Sequence, residues 1–338
     1  MDANPLAFTP AAEREQPSGW AGEMSSVEVE GLAGTAKKPE AVDCKSRWCT
    51  DPCTGKRIAL IATVVVFVIG LTILIVVLTK PTDPDPLPPA CAAPADCVQM
   101  SHARWTSVLA AHVRPATSAS GTNYLGLDYE AVRADPEFRA YLAELEAAPI
   151  PQMDSQGRKA LFINAYNALA VRLLLDECGG ALCGSIRDIG SMIAPVWGEP
   201  AGQIGGGGSG STYSLDNIEH GYLRATFSDA RMHSGVNCAS VSCPDLAMEA
   251  FEAATLDAQL DASSAAWLAN PTKGLSLAAG TLTLSKIFDW YNDDFVSWAG
   301  GELGFVGSHG PSAVQTSIAG LAPSIAYFGY DWNVNTVN

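Results

Sequence analysis

The twenty residues RKALFINAYNALAVRLLLDE, Arg158–Glu177, have apolar side chains on almost every side of a 3.6-residue period. The spacing predicts a helix from Gly157 to Glu177 that is buried on several sides, and Gly179-Gly180 follow it as a stop. Such a helix needs neighbours all round, and the flanking sequence supplies them. Asp135-Pro136 places an acidic N-cap before a proline at the first helical position and opens a helix through Glu146. Ser214 caps a helix from Leu215 to about Phe227 that carries Glu219 and His220. GLSLAAGTLTL, Gly274–Leu284, has the pattern of a β-hairpin, and Ser285 caps KIFDWYNDDFVSWAG, a helix ending near Gly300. Helices dominate and strands are few. The expected class is α+β: a mostly helical single domain over residues 98–338, with a small antiparallel sheet.

Upstream of this domain the sequence changes character. Residues 58–78, IALIATVVVFVIGLTILIVVL, are uncharged and, at about 1.5 Å per residue, long enough to cross a hydrocarbon core, so one transmembrane helix is expected there. Lys45, Arg47, Lys56 and Arg57 precede it, against Lys80 alone beyond it, which predicts a cytosolic N-terminus and a lumenal or extracellular C-terminal domain. With 57 polar residues in front, the span reads as a signal-anchor of a single-pass protein of the plasma membrane or secretory pathway. Residues 1–57 lack periodic apolar patterning and read as a disordered cytosolic tail, whose Cys44, Cys49 and Cys53 are either acylation sites or ordinary thiols. Residues 79–97 hold six prolines between Pro81 and Pro94, the composition of a stiff stalk.

The chain has 338 residues and a net charge of −16. That balance repels a phosphate backbone, so nucleic acid is excluded as a partner. The membrane is the expected partner, together with a small-molecule or peptide ligand whose nature the sequence leaves open. GGGGSGS, residues 205–211, lacks the Lys-Ser/Thr ending of a phosphate loop and reads as a surface insertion, so no cofactor is expected. The six remaining cysteines fall into close pairs, Cys91 with Cys97, Cys178 with Cys183 and Cys238 with Cys243, and in an oxidising compartment local disulfides are the preferred pairing.

Chemistry concentrates in RMHSGVNCASVSCPDLAMEAFEA, Arg231–Ala253. Pro244 suits the first position of a helix through Met248 and Phe251, which makes Cys243 its N-cap, and Cys238 then lies in the turn after a short strand. Three readings stay open. Cys238 and Cys243 form a structural disulfide; one of them is a thiol nucleophile with His233 or His220 as general base; or His233, Cys238, Cys243 and a fourth ligand hold zinc. Asn164 and Asn167, three apart on the apolar helix, either clamp a neighbouring loop or orient a substrate.

FINAYNAL (Phe162–Leu169), SLDNIEHGYLR (Ser214–Arg224), the Arg-x-His followed by CASVSCP (Arg231–Pro244), LSKIFDWYNDDF (Leu284–Phe295) and YDWNVN (Tyr330–Asn335) occur in an order that resembles the family called domain of unknown function 547. The resemblance covers about Leu125 to Asn338. It carries over Asn164, Asn167, Glu219, His220, Arg231, His233, Cys238 and Cys243 as matching positions, and it implies no settled reaction. Ser234-Gly235 stand where relatives usually carry an aromatic and alanine, and the glycine-rich insertion is this chain's own. The functional expectation is a thiol-dependent hydrolase or acyltransferase: Cys238 or Cys243 as nucleophile, His233 or His220 as base, Glu219 or Asn164 orienting it, and Asn167 and Arg231 holding substrate. The alternative is a non-catalytic, disulfide-stapled binding or interaction module.

Overall fold

The structure is a computed structural model that describes residues 87–93, 96–191, 194–206, 212–320 and 322–337. All of these lie in the unit Lys80–Asn338. The expected tail, the 58–78 span, the first half of the stalk and residues 207–211 of the glycine-rich insertion lie outside the described residues. Among the described residues no helix is long and apolar enough to cross a membrane.

Helix α1 (Ala103–His112) leads into an antiparallel pair, β1 (Val113–Thr117) and β2 (Asn123–Leu127), then α2 (Tyr129–Ala134), α3 (Pro136–Glu146) and the long α4 (Ser155–Glu177). The Asp135 side chain accepts from Glu137 N at the start of α3, as the sequence predicts, while α4 starts at Ser155, two residues before the expected Gly157, because Asp154 caps it by accepting from Gly157 N. Helix α4 is buried from Gly157 to Val171 without a break, as an all-round apolar sequence requires. It is the spindle of the first core, where Trp105 stacks on Tyr141 at 5.7 Å and Phe162 on Tyr222 at 4.7 Å.

Tyr222 sits on a wide π-helix, Asn217–Phe227, which Ser214 caps by accepting from Asn217 N and which ends at Ser228 in the left-handed region. The two-residue strands β3 (Gly202–Gln203) and β4 (Thr212–Tyr213) flank the glycine-rich insertion as an antiparallel pair.

A second core gathers α5 (Leu256–Ala269), the hairpin β5 (Leu275–Ala278) and β6 (Thr281–Leu284), then α6 (Lys286–Trp290), α7 (Asn292–Ala299) and α8 (Glu302–His309). Trp267 stacks on Phe288 at 4.9 Å, and Phe295 meets Phe288 at 4.3 Å and Phe305 edge-on at 5.0 Å. The hairpin turns at Ala279-Gly280, both at positive φ. Its first residue packs tightly: a Cβ on Gly274 would lie 1.7 Å from Trp267 O. Helix α9 (Ser312–Gly320) precedes β7 (Ser324–Tyr327), which pairs with β6 in parallel, so this sheet is mixed while the other pairings are antiparallel.

Three sequence expectations are corrected here. The segment after Pro244 is not helical; the next helix starts at Leu256. Distant side chains have taken the backbone groups that a helix there would need. Asn237 Nδ2 holds Pro244 O, Thr106 Oγ1 holds Ala250 N, Gln259 Nε2 holds Ala250 O, and Asn164 holds both N and O of Phe251. Cys243 is therefore not a helix N-cap. Nor is there a strand before Cys238, because Ala230–Ser234 forms a 3-10 turn. Finally, the second half of the stalk is fastened to the domain. Arg158 donates to Pro88 O and, at 2.9 Å, to Pro89 O, while Cys91 N and Val98 N bond to Met153 O and Gln152 O.

Candidate functional site

All three local disulfides are formed: Cys91–Cys97, Cys178–Cys183 and Cys238–Cys243. The last lies in a buried loop, each cysteine 3% exposed, with Ala239 held in the left-handed region at φ 62° by Asn237 Oδ1, which accepts from Ala239 N at 2.7 Å. The C-terminal segment covers this loop. Val241 N and Ser242 N donate to Asn333 O and Asp331 O, and Asn335 N donates to Ala239 O. Lys273, also buried, donates to Val241 O, Cys243 O and Asp245 Oδ1. Burial lowers its pKa, partly offset by Asp245.

A disulfide sulfur carries no proton, so every hydrogen bond at these sulfurs is donated to them. Cys243 Sγ accepts from Cys238 N at 3.1 Å, and the Tyr330 and Ser240 hydroxyls lie 3.1 and 3.3 Å away. Cys238 Sγ faces the same hydroxyls at 3.2 Å (Ser240) and 3.6 Å (Tyr330).

The imidazoles belong to a second cluster. His233 Nε2 donates to Asp294 Oδ2 at 2.8 Å, and its ring packs on Tyr291 at 4.2 Å. Arg224 donates to the same carboxylate through Nε (2.6 Å) and Nη2 (3.0 Å), and its third edge, Nη1, donates to His220 Nδ1 at 2.7 Å. Burial would raise the Asp294 carboxyl, but the hydrogen bonds from His233 and Arg224 outweigh it and hold the group far below the usual carboxylate range. A guanidinium has only donors, so the neutral His220 ring carries its proton on Nε2. That atom is buried without a hydrogen-bond partner, with Asp216 Oδ1 3.7 Å away.

Glu219, 3% exposed, is a further carboxylate of this cluster. Burial first, and the Glu219 charge next, push the phenols of Tyr166 and Tyr291 well above their ordinary range. Both hydroxyls are within hydrogen-bonding reach of the Glu219 carboxylate, which adds to the same shift. The π-helix puts Glu219, His220 and Arg224 here together.

The structure thus divides the sequence-predicted site. It brings Cys238 and Cys243 together as a disulfide, and Glu219 and His220 onto the cluster around Asp294, where His233 also lies. The pairing expected between His233 and a thiol is not formed: its donor goes to Asp294, and the sulfurs are bonded to each other. The zinc grouping fails for the same reason, and among the described residues no three His, Cys, Asp or Glu side chains are placed to hold a metal. Asn164 does not orient a base, because both ends of its amide are on Phe251 at 2.8 and 3.0 Å. Asn167 is the matching clamp on Gly235 O and Asn237 N. Arg231 has no donor left for substrate. It spans Asp229, Asp257 and Asp261, lies over Trp298, and shares Asp229 with the buried Lys159.

Sequence reasoning missed Tyr166, Arg224, Tyr291, Asp294 and Tyr330. All five lie inside the sequence blocks quoted above, but only the fold shows that they meet.

Two clefts lie elsewhere. One, about 470 Å³, is lined by Leu87, Pro88, Arg158, Tyr222 and Phe227; the other, about 360 Å³, is lined by Tyr124, Asp245 and Asn270. No curated protein and no solved structure matches the chain. The family described as "Protein of unknown function, DUF547" matches residues 150–268, from the turn before α4 to near the end of α5, and so takes in both asparagine clamps, the π-helix and the Cys238–Cys243 loop.

Proposed function

We propose that this chain is a single-pass, type II membrane protein, anchored by residues 58–78, that presents a non-catalytic, disulfide-stapled binding module on the non-cytosolic side of the membrane. One observation carries the choice against the thiol-dependent hydrolase: the side chains that would do that chemistry are occupied by one another. Cys238 is bonded to Cys243, His233 to Asp294, Asn164 to Phe251, and Arg231 to three aspartates. The anchoring half of the reading is supported by the uncharged stretch, the basic residues on its N-terminal side, and cysteines that pair locally as an oxidising compartment favours. Within the module, the place we assign to a ligand is beside His220 Nε2, a buried polar atom without a hydrogen bond.

The test is a substitution pair on the full chain. Under this reading Cys243→Ser and His233→Ala lower the melting temperature, the first by the equivalent of roughly 2–5 kcal/mol, and neither changes the hydrolysis of a chromogenic acyl ester above background. Ester turnover that Cys243→Ser abolishes at an unchanged melting temperature overturns it. The topology is checked separately: protease added to sealed cells should digest the C-terminal domain and spare the first 57 residues.

A further inference from the structure

Cys91–Cys97 and Cys238–Cys243 have unlike surroundings. Around Cys91–Cys97 the neighbouring polar atom is an acceptor, Ala93 O, 3.1 Å from Cys97 Sγ and 3.7 Å from Cys91 Sγ. A carbonyl oxygen at that distance repels a thiolate. Around Cys243 Sγ the neighbours are donors: the Cys238 amide, the Tyr330 hydroxyl and the Ser240 hydroxyl, all within 3.3 Å. A disulfide sulfur is a poor acceptor and makes little use of three donors, whereas a thiolate is stabilised by each of them. Burial holds the Tyr330 phenol above its ordinary range, against the hydrogen bond that Ser240 donates to it and with the Glu219 charge, so it stays a proton donor at neutral pH.

We infer that Cys238–Cys243 is an exchange site for a thiol-bearing ligand, with Cys238 as the sulfur attacked and Cys243 as the leaving group. The incoming thiolate forms a bond to Cys238 Sγ, the Cys238–Cys243 bond breaks, and its electron pair goes to Cys243 Sγ. The product is a mixed disulfide at Cys238 and a thiolate at Cys243 held by the three donors. No further oxidant or reductant enters, because the attacking thiol is itself oxidised to the mixed disulfide. The direction follows from the leaving group, since the sulfur better stabilised as thiolate departs faster. Access is past residues 331–335, whose backbone bonds cover the loop, so the site opens when those residues lift while Tyr330, packed on Trp290 at 4.7 Å, keeps its place beside Cys243 Sγ. The reaction modifies the module once and needs no turnover, so it goes beyond the binding reading without depending on it.

Exposure and donor placement make opposite predictions. Cys91, Cys97, Cys178 and Cys183 are each more exposed than Cys238 and Cys243. The experiment treats the detergent-purified full chain with reduced glutathione under native conditions, alkylates the freed thiols, and locates both modifications by peptide mass. The expected result is glutathione on Cys238 and the alkyl group on Cys243, with the other two disulfides intact. Tyr330→Phe should give about tenfold less adduct, the effect of one hydrogen bond to a charged sulfur, at an unchanged melting temperature. In Cys238→Ser, the alkylation rate of Cys243 should rise with a midpoint below the ordinary thiol value of about 8.5. Reaction of the more exposed disulfides first, glutathione on Cys243, or a Cys243 midpoint at or above the ordinary value each overturns the inference.

Discussion

Around Asn164 and Asn167 the buried polar groups are neutral amides bonded to backbone, whereas around Asp294 they are charged side chains bonded to one another. The first arrangement copies what a strand edge does. Each asparagine offers one donor and one acceptor, and each takes the N–H and C=O of a loop that has no secondary structure of its own. The second joins four parts of the chain, the π-helix, the 3-10 turn, the turn between α6 and α7, and α7, through Arg224, His233, Tyr291 and Asp294. Neutral clamps resist pH and fail only when cut. Ion pairs hold charge in place and give way when a carboxylate takes up a proton.

Cutting a clamp should have the largest effect. Asn167→Ala leaves Gly235 O and Asn237 N buried without partners, at about 1–3 kcal/mol each, so a loss on the order of 4 kcal/mol is expected in denaturant unfolding. A loss below 1 kcal/mol would remove the distinction drawn between the two regions.

Next comes a titration near the clamped loop. His102 is 1% exposed, close to Tyr141 and Glu252, and burial lowers its ring pKa from 6.5 to about 4. Between those values the unfolded chain takes up a proton that the folded chain refuses. Stability is therefore full above about pH 6.5 and falls toward pH 4 by on the order of 3 kcal/mol. His102→Gln should flatten that interval; an unchanged slope would show that another group titrates there.

The ionic cluster should respond at lower pH. Asp294 has a depressed pKa in the folded state, so its contribution is present above the unfolded value of about 3.9 and is lost only as pH falls below it. Arg224→Met removes two of the three donors on that carboxylate. It should cost about 2 kcal/mol at neutral pH and move the acid unfolding midpoint upward. An acid midpoint equal to that of the unsubstituted chain counts against Asp294 as the centre of the cluster.

The smallest effect belongs to Arg231→Lys. One ammonium cannot span Asp229, Asp257 and Asp261 at once, but the last two are exposed and weakly coupled, so about 1 kcal/mol is expected, with most of the salt dependence at this site removed.

How much was legible varies by residue. Asp135, Ser214 and Ser285 announce helix starts because a cap acts within three residues of itself, and each is found capping. The break of the KIFDWYNDDF helix at Tyr291 and the π-form of Asn217–Phe227 were not readable. Pro244 misled, because proline at a first helical position is a local preference, and at this position Asn164 and Thr106, from far along the chain, together with the nearer Asn237 and Gln259, outweigh it. Among the candidate site residues, the types were legible and the partners were not. His233 and Cys238 are five residues apart, yet the imidazole turns to Asp294, 61 residues further on.

The sequence by itself determined the apolar spindle of α4, the caps at Asp135, Ser214 and Ser285, and the placing of chemistry in the Arg231–Ala253 segment. Each of these rests on interactions spanning a few residues, where spacing is geometry. Which buried donor meets which acceptor was decided only by the tertiary structure. Those partners lie tens of residues apart, and a buried polar group takes whichever partner packing brings within about 3 Å.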